Sequence, residues 1–303
     1  MKITNKFNLP ETIINVLARP TYSKGKANIS ATELINSPRI VQLKRKHWDE
    51  VEEDASSMVW SLFGSAVHNI LEHGKQDNHI VEERIHVSHE GWHISGAVDL
   101  QEVYEDGIVI NDYKTTTAWA VQNDKPEWEE QLNIYAWLIQ KAKNTPIKGL
   151  RIVAIVRDWS QRDAVNRDGY PQAPIVILDQ QLWPFEKAQL FIEERLKAHG
   201  EAYFESETDG NIAECTPDEM WEKPTTYAVI KVGGKRAKSI HPTKTEAQAD
   251  LESAGKGYEI QVRAGERTRC FSYCQVNQWC SQHQKYIAEN SISEEVVYER
   301  FTT

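Results

Sequence analysis

The chain has 303 residues, 40% of them hydrophobic and 26% charged, with Trp 10, Tyr 11 and Phe 7 spread along it. That composition supports a sizeable core and excludes a disordered chain, and no run approaches the roughly 18 apolar residues of a membrane helix. The formal net charge of -10 does not describe the field inside a cleft, and an acidic site can await divalent cations. Two local groups are basic: Lys231, Lys235, Arg236, Lys238 and Lys244, and near the N-terminus Arg39, Lys44, Arg45 and Lys46. Each suits either a phosphate backbone or a solvated face. The start, MKITNKFNLPETI, has no apolar stretch followed by a cleavage site, so a cytoplasmic location is expected.

In chain order, Ser30 and Thr32 precede ELINSPRIVQLKRKH, whose spacing predicts two short helices broken at Pro38. MVWSLFGSAVHNILEHG predicts a third helix stopped by Gly74, with Gly64, His68 and Glu72 on one face. Val81 to Val87, Trp92 to Glu102 and Ile108 to Lys114 have strand character, separated by His89-Glu90-Gly91 and Glu105-Asp106-Gly107, which predicts an antiparallel meander. A helix from Trp128 to Lys143, the strand-like LRIVAIVRDW and PIVIL, and a long helix from about Gln181 to Phe204 follow. After Cys215, a hairpin turned at Gly233-Gly234, a helix in TKTEAQADLESAG and a strand in YEIQVRA predict a small ββαβ insert. The expected organisation is an α/β (α+β) core with N-terminal helices over residues 1–205, the insert over 206–268, and a cysteine-cluster segment and tail over 269–303.

Polar residues stand where a strand favours apolar ones. Asp99 ends SGAVD, and Asp112 with Lys114 ends IVINDYK; residues two apart share a strand face, so Asp112 and Lys114 point the same way. Converging carboxylates repel, and a divalent cation with oxygen ligands, Mg²⁺ or Mn²⁺, relieves the repulsion. A lysine beside such a site can position a water or offset charge on a phosphodiester under attack. Asp-x-Lys alone carries almost no signal, since an exposed ion pair on an edge strand gives the same letters.

The set G-S-A-V-H-N-I-L-E, G-A-V-D, D-Y-K-T and Q-L-N-I-Y, in this order from Gly64 to Tyr135, resembles the RecB-like branch of the PD-(D/E)XK nuclease superfamily, in its CRISPR-associated and phage exonuclease types. The resemblance implies a mixed central sheet flanked by helices. It also implies metal ligation by His68, Asp99, Asp112 and the Tyr113 carbonyl, with Lys114 serving the attacking water. Catalytic candidates are Lys114, Asp112, Asp99 and Glu72. Gln131 and Tyr135 match the motif beside the active site that helps hold the nucleic-acid strand. The third-motif acid is Asp112, where many members of the superfamily have Glu.

Cys270-x3-Cys274-x5-Cys280 with the distant Cys215 accounts for all four cysteines, the number a closed Zn²⁺ site or a [4Fe-4S] cluster needs. RecB-like exonucleases that carry a [4Fe-4S] cluster hold it with one distant and three C-terminal cysteines. This chain departs in its x3 spacing and in a distant cysteine that follows the nuclease motifs, so iron-sulfur leads and structural zinc is the alternative. The expected function is a metal-dependent deoxyribonuclease, a phage or prophage exonuclease acting on DNA ends in replication or recombination, in the host cytoplasm if phage-encoded. Trp119, Trp128 and Tyr135 would favour single strands. Lys235, Arg236 and Lys238 are the further nucleic-acid candidates, unless the hairpin docks a recombinase or helicase. The alternatives are an endonuclease of a defence or branched-DNA type, and a catalytically silent DNA-binding or assembly subunit.

Overall fold

The computed structural model describes residues 1–19, 24–208 and 210–289. It divides into two compact units, residues 1–42 with 48–212, and residues 43–47 with 213 onward. The tail beyond residue 289, which the sequence reading joined to the cysteine segment, lies outside the described residues.

The first unit opens with β1 (Lys2–Thr4), α1 (Glu11–Leu17), β2 (Ile29–Ser30), α2 (Ala31–Leu34), the start of α3 (Pro38–His47) and β3 (Glu52–Asp54). The two short helices expected around Pro38 are present. Ser30 starts α2 through a capping box: its hydroxyl accepts from the Glu33 N–H at 3.2 Å, and the Glu33 carboxylate accepts from the Ser30 N–H at 2.9 Å. Pro38, lacking an N–H, begins α3 where that donor would have no helical partner.

Next come α4 (Val59–Glu72), β4 (His79–His89), β5 (Trp92–Tyr104), β6 (Gly107–Thr116), α5 (Ala118–Gln122), α6 (Pro126–Lys143), β7 (Ile147–Val156), α7 (Gln161–Asn166), β8 (Ile175–Gln180) and α8 (Phe185–Glu207). The meander is present, with β4 antiparallel to β5 and β5 antiparallel to β6. Its first turn is a two-residue loop, Glu90 at φ 49° and Gly91 at φ 76°, the left-handed pair that matches the twist of the flanking strands.

The sheet runs β2-β5-β6-β7-β8, with β4 also on β5. It is mixed, because β2 lies parallel to β5 and β6 parallel to β7, the second pair joined across α6. Ile94, Val98, Ile110, Ile152, Leu132, Trp137, Leu138 and Ile192 are buried together between the sheet and helices α6 and α8. This architecture fits a PD-(D/E)XK core.

One irregularity of this sheet matters for function. β4 covers one edge of β5 along nearly its whole length, so β2 and β6 share the other edge. β2 takes Ile94 and Ser95, and β6 takes Leu100 to Tyr104. Residues 96–99 of β5 have no ladder partner on that edge, and β6 past Asn111 pairs only with β7. The sheet is open at Asp99.

The second unit carries β9 (Glu222–Lys223), β10 (Thr226–Lys231), β11 (Ala237–His241), α9 (Lys244–Ala254), β12 (Tyr258–Arg263), β13 (Glu266–Arg267), α10 (Thr268–Ser272) and, after a short 3-10 turn, α11 (Ser281–Glu289). β10 is the central strand between β11 and β12, both antiparallel to it. Asp250 on α9 accepts from Lys238 at 3.0 Å and lies 3.1 Å from His241 Nε2, which ties the helix to β11. Among the described residues no helix is long and apolar enough to cross a membrane.

Candidate active site

The opening between β5 and β6 leaves backbone groups to be satisfied by side chains, and the site is built from that need. The Tyr113 N–H donates to Asp99 Oδ2 at 2.8 Å, and the Tyr113 carbonyl lies 3.1 Å from His68 Nε2. The backbone of one β6 residue thus joins a residue of β5 to a residue of α4. Asp99 and Asp112 are both buried.

Around His68 a second carboxylate appears that the sequence reading did not single out. His68 Nδ1 lies 3.5 Å from Asp99 Oδ1 and 3.5 Å from Glu82 Oε1. Ligand atoms of His68, Glu82 and Asp99 all lie within 4.8 Å of one another. Glu82 stands on β4 directly across from Asp99, between the pairs Val81 with Leu100 and Glu83 with Val98, and its φ is +50°. A non-glycine residue held left-handed in mid-strand stores strain that surrounding structure must impose, a condition that clusters at functional sites. The two acids hold the His68 imidazole protonated, raising its pKa to about 10.

Asp112 anchors the other half. Its Oδ2 is buried without a hydrogen bond of ordinary geometry, its close partner being the Lys114 ammonium at 2.6 Å, while its Oδ1 accepts from Gln131 Nε2 at 3.1 Å. The same Gln131 accepts from Lys114 Nζ at 3.2 Å and donates to the Tyr135 hydroxyl at 2.7 Å. One amide on α6 therefore fixes both the acid and the lysine. Burial pushes Asp112 up to about 6, with the Asp99 charge adding to the rise and the Lys114 charge opposing it. Gly96 makes this contact between α6 and β5 feasible: a Cβ there would lie 2.8 Å from the Tyr135 ring and from Leu138 Cδ1.

Of the expected residues, the structure brings together His68, Asp99, Asp112, Tyr113, Lys114, Gln131 and Tyr135. Glu72 is not brought in: it ends α4 exposed and stands outside the cluster, because the part of the helix that faces β6 is the turn around His68. Arg39, counted in the N-terminal basic group, is buried and donates to the Ile212 carbonyl, so it does not face a phosphate.

The residues present fit a divalent cation. An imidazole and several carboxylate oxygens converge, and Asp112 Oδ2 is buried with acceptor capacity left; such donors suit Mg²⁺ or Mn²⁺.

In the second unit the four cysteines are free, Cys215 and Cys280 buried and Cys270 and Cys274 partly so. The Gln282 side chain takes both backbone polar groups of Cys215, at 2.8 and 3.0 Å, and Asn277 Nδ2 donates to the Cys270 carbonyl at 2.9 Å. Burial, followed by the neighbouring Cys274, Cys215 and Cys280, pushes the Cys270 thiol up to about 12. The Cys274 thiol is likewise pushed up by burial, and a bound metal would reverse that preference at both thiols. On the β10–β11 hairpin Lys235 and Arg236 are exposed, while Lys238 is engaged by Asp250.

The profile of the PD-(D/E)XK nuclease superfamily matches residues 33–281 of this chain. Among solved structures, one titled "Crystal structure of SSO0001" is similar at 16% identity and a TM-score of 0.41, over 62% of this chain and 82% of that one. No curated protein matches.

Proposed function

The chain belongs to the PD-(D/E)XK nuclease superfamily, and on that premise we propose that it is a metal-dependent deoxyribonuclease of the RecB-like type, an exonuclease acting on DNA ends in phage or prophage replication or recombination. The observation that carries the reading is the backbone of one residue, Tyr113, flanked by a candidate metal group on one side and by the Asp112–Gln131–Lys114 network on the other.

His68, Glu82, Asp99 and Asp112 would hold Mg²⁺ or Mn²⁺. When bound, such a cation polarises the phosphoryl oxygen and makes a bound water more acidic. The chain's own groups do the rest. Gln131 holds Lys114 beside Asp112, so that the ammonium points at the reacting centre, orients the attacking water and offsets charge on the phosphate. The Asp99 carboxylate, by accepting the Tyr113 N–H, fixes the β6 backbone that carries both Asp112 and Lys114.

The four thiols of the second unit would hold a [4Fe-4S] cluster, with structural zinc as the alternative for the same donors. The exposed Lys235 and Arg236, with Lys238, would follow the DNA backbone or dock a recombinase or helicase. The setting in this reading is the cytoplasm of the host.

The test uses end-labelled linear and closed circular DNA, single- and double-stranded, with Mg²⁺, Mn²⁺ or chelator, alongside Lys114→Ala, and metal analysis of anaerobically purified protein. The expected result is chelator-sensitive loss of linear DNA only, reduced at least a hundredfold in the variant, with iron and sulfide bound. Cut circles would make the protein an endonuclease. Binding without cleavage would make it an assembly subunit, and a Lys114→Ala protein that cleaves normally would remove the mechanism.

A further inference from the structure

Helix α4, which carries His68, has an apolar sequence yet no buried residue. Trp60 and Phe63 in its first half are 55% and 43% exposed. Trp60 is covered by a cation, Arg157 Cζ lying 4.1 Å from its ring centre. Arg157 extends β7 beside the end of β6, where its N–H donates to the Thr116 carbonyl at 2.9 Å, two residues beyond Lys114. A second pair stands past the same strand end. Thr117 caps α5, whose second residue, Trp119, is 61% exposed with Lys125 Nζ 4.8 Å from its ring.

Between Trp60 and His68 the helix offers open space. Trp60, Gly64 and His68 follow at four-residue intervals, so they descend one side of α4 over about 12 Å. A Cβ at Gly64 would meet nothing within 4 Å. Among the described residues no packing calls for glycine there, although glycine weakens a helix relative to alanine. A glycine with free space beside it lets another chain approach the backbone closely.

We propose that this face of α4 and the adjoining ends of β6 and β7 form a track for unpaired nucleotides, with bases stacking on Trp60 and Trp119, phosphates meeting Arg157 and Lys125, and the strand passing Gly64 to reach the site. The proposal rests on the nuclease reading and names its substrate as a single-stranded end. Charge complementarity selects the occupant. Two aromatic faces, each already paired with a cation, match a polyanion whose bases have exposed π faces, and a duplex hides those faces by stacking them on one another.

The test measures binding of fluorescein-labelled dT20 and of a blunt 20-base-pair duplex to the full chain in Ca²⁺, for the wild type, Trp60→Ala, Trp60→Phe and Gly64→Leu, with linear-DNA hydrolysis in Mn²⁺ followed for the wild type. Trp60→Ala is expected to reduce the preference for dT20 over duplex by about 5- to 150-fold, the range of one base–aromatic stack. Trp60→Phe is expected to restore most of it, and Gly64→Leu to reduce it in the same direction. An unchanged preference, or an oligomer that falls apart in Trp60→Ala by light scattering, would overturn the track. If the wild type cleaves nothing while binding still depends on Trp60, the nuclease reading fails and the track stands. If the wild type cleaves and Trp60→Ala keeps the preference, the track fails alone.

Discussion

Replacing Gln131 with leucine separates two accounts of that residue. If it positions the catalytic groups, its loss removes the hydrogen bond to Asp112 Oδ1 and the one from Lys114. A hydrogen bond to a charged group contributes about 1.5–3 kcal/mol. Lys114 is partly exposed, so water replaces its lost partner, and the net destabilisation comes mainly from Asp112 at about 2 kcal/mol, or a Tm lower by about 5 °C. The same loss acts on titration. Asp112 already stands at about 6 because burial disfavours its charge. Removing a donor to its anionic form raises it further, by about 1–2 pH units at 1.36 kcal/mol per unit. A carboxylate that must be ionised for turnover gives an acid limb to the profile of kcat/KM against pH, so that limb moves to higher pH in Gln131→Leu, and activity recovers as pH rises. The assay is linear-DNA hydrolysis from pH 5 to 9 at a fixed Mn²⁺ concentration well below saturation, where protons compete with the cation for Asp112, with thermal melts of the same samples. If activity falls while the limb stays in place, Gln131 acts by gripping the strand and the positioning argument is wrong.

Two other substitutions probe the parts around it. Glu82→Gln keeps the size of the side chain and removes its charge; Mn²⁺ binding, read by EPR titration, is expected to weaken about tenfold or more, and an unchanged affinity would exclude Glu82 from the metal group. Gly96→Ala places a methyl group 2.8 Å from Tyr135 and Leu138; the melt is expected to drop by an amount equivalent to about 1–3 kcal/mol, and an unaltered melt would show that α6 does not pack on β5 as described.

The helices and the meander were legible because each follows one local rule. α4 and α6 have helical spacing, β4 to β6 are runs of strand character between turns that contain glycine, and Ser30 with Glu33 spells a capping box. Pairing direction is not local, and nothing in IVINDYK or LRIVAIV states that β6 and β7 run parallel across α6. The gap in β5 was hidden for the same reason, since it arises from where β2 and β6 stop. Glu82 is the informative omission. Its sequence neighbourhood, V-E-E-R, reads as one more polar strand segment, and only pairing reveals its place. Yet the two-residue turn at Glu90-Gly91 fixes the register of the hairpin. Counting back equally from that turn along both strands sets Glu82 opposite Asp99. Two acids facing each other across a ladder repel and are disfavoured in a purely structural sheet. That conflict was readable in the sequence once the turn was placed, and the left-handed backbone at Glu82 is its local cost. The strand leaves regular geometry at Glu82, where the two carboxylates share His68 Nδ1 at 3.5 Å each.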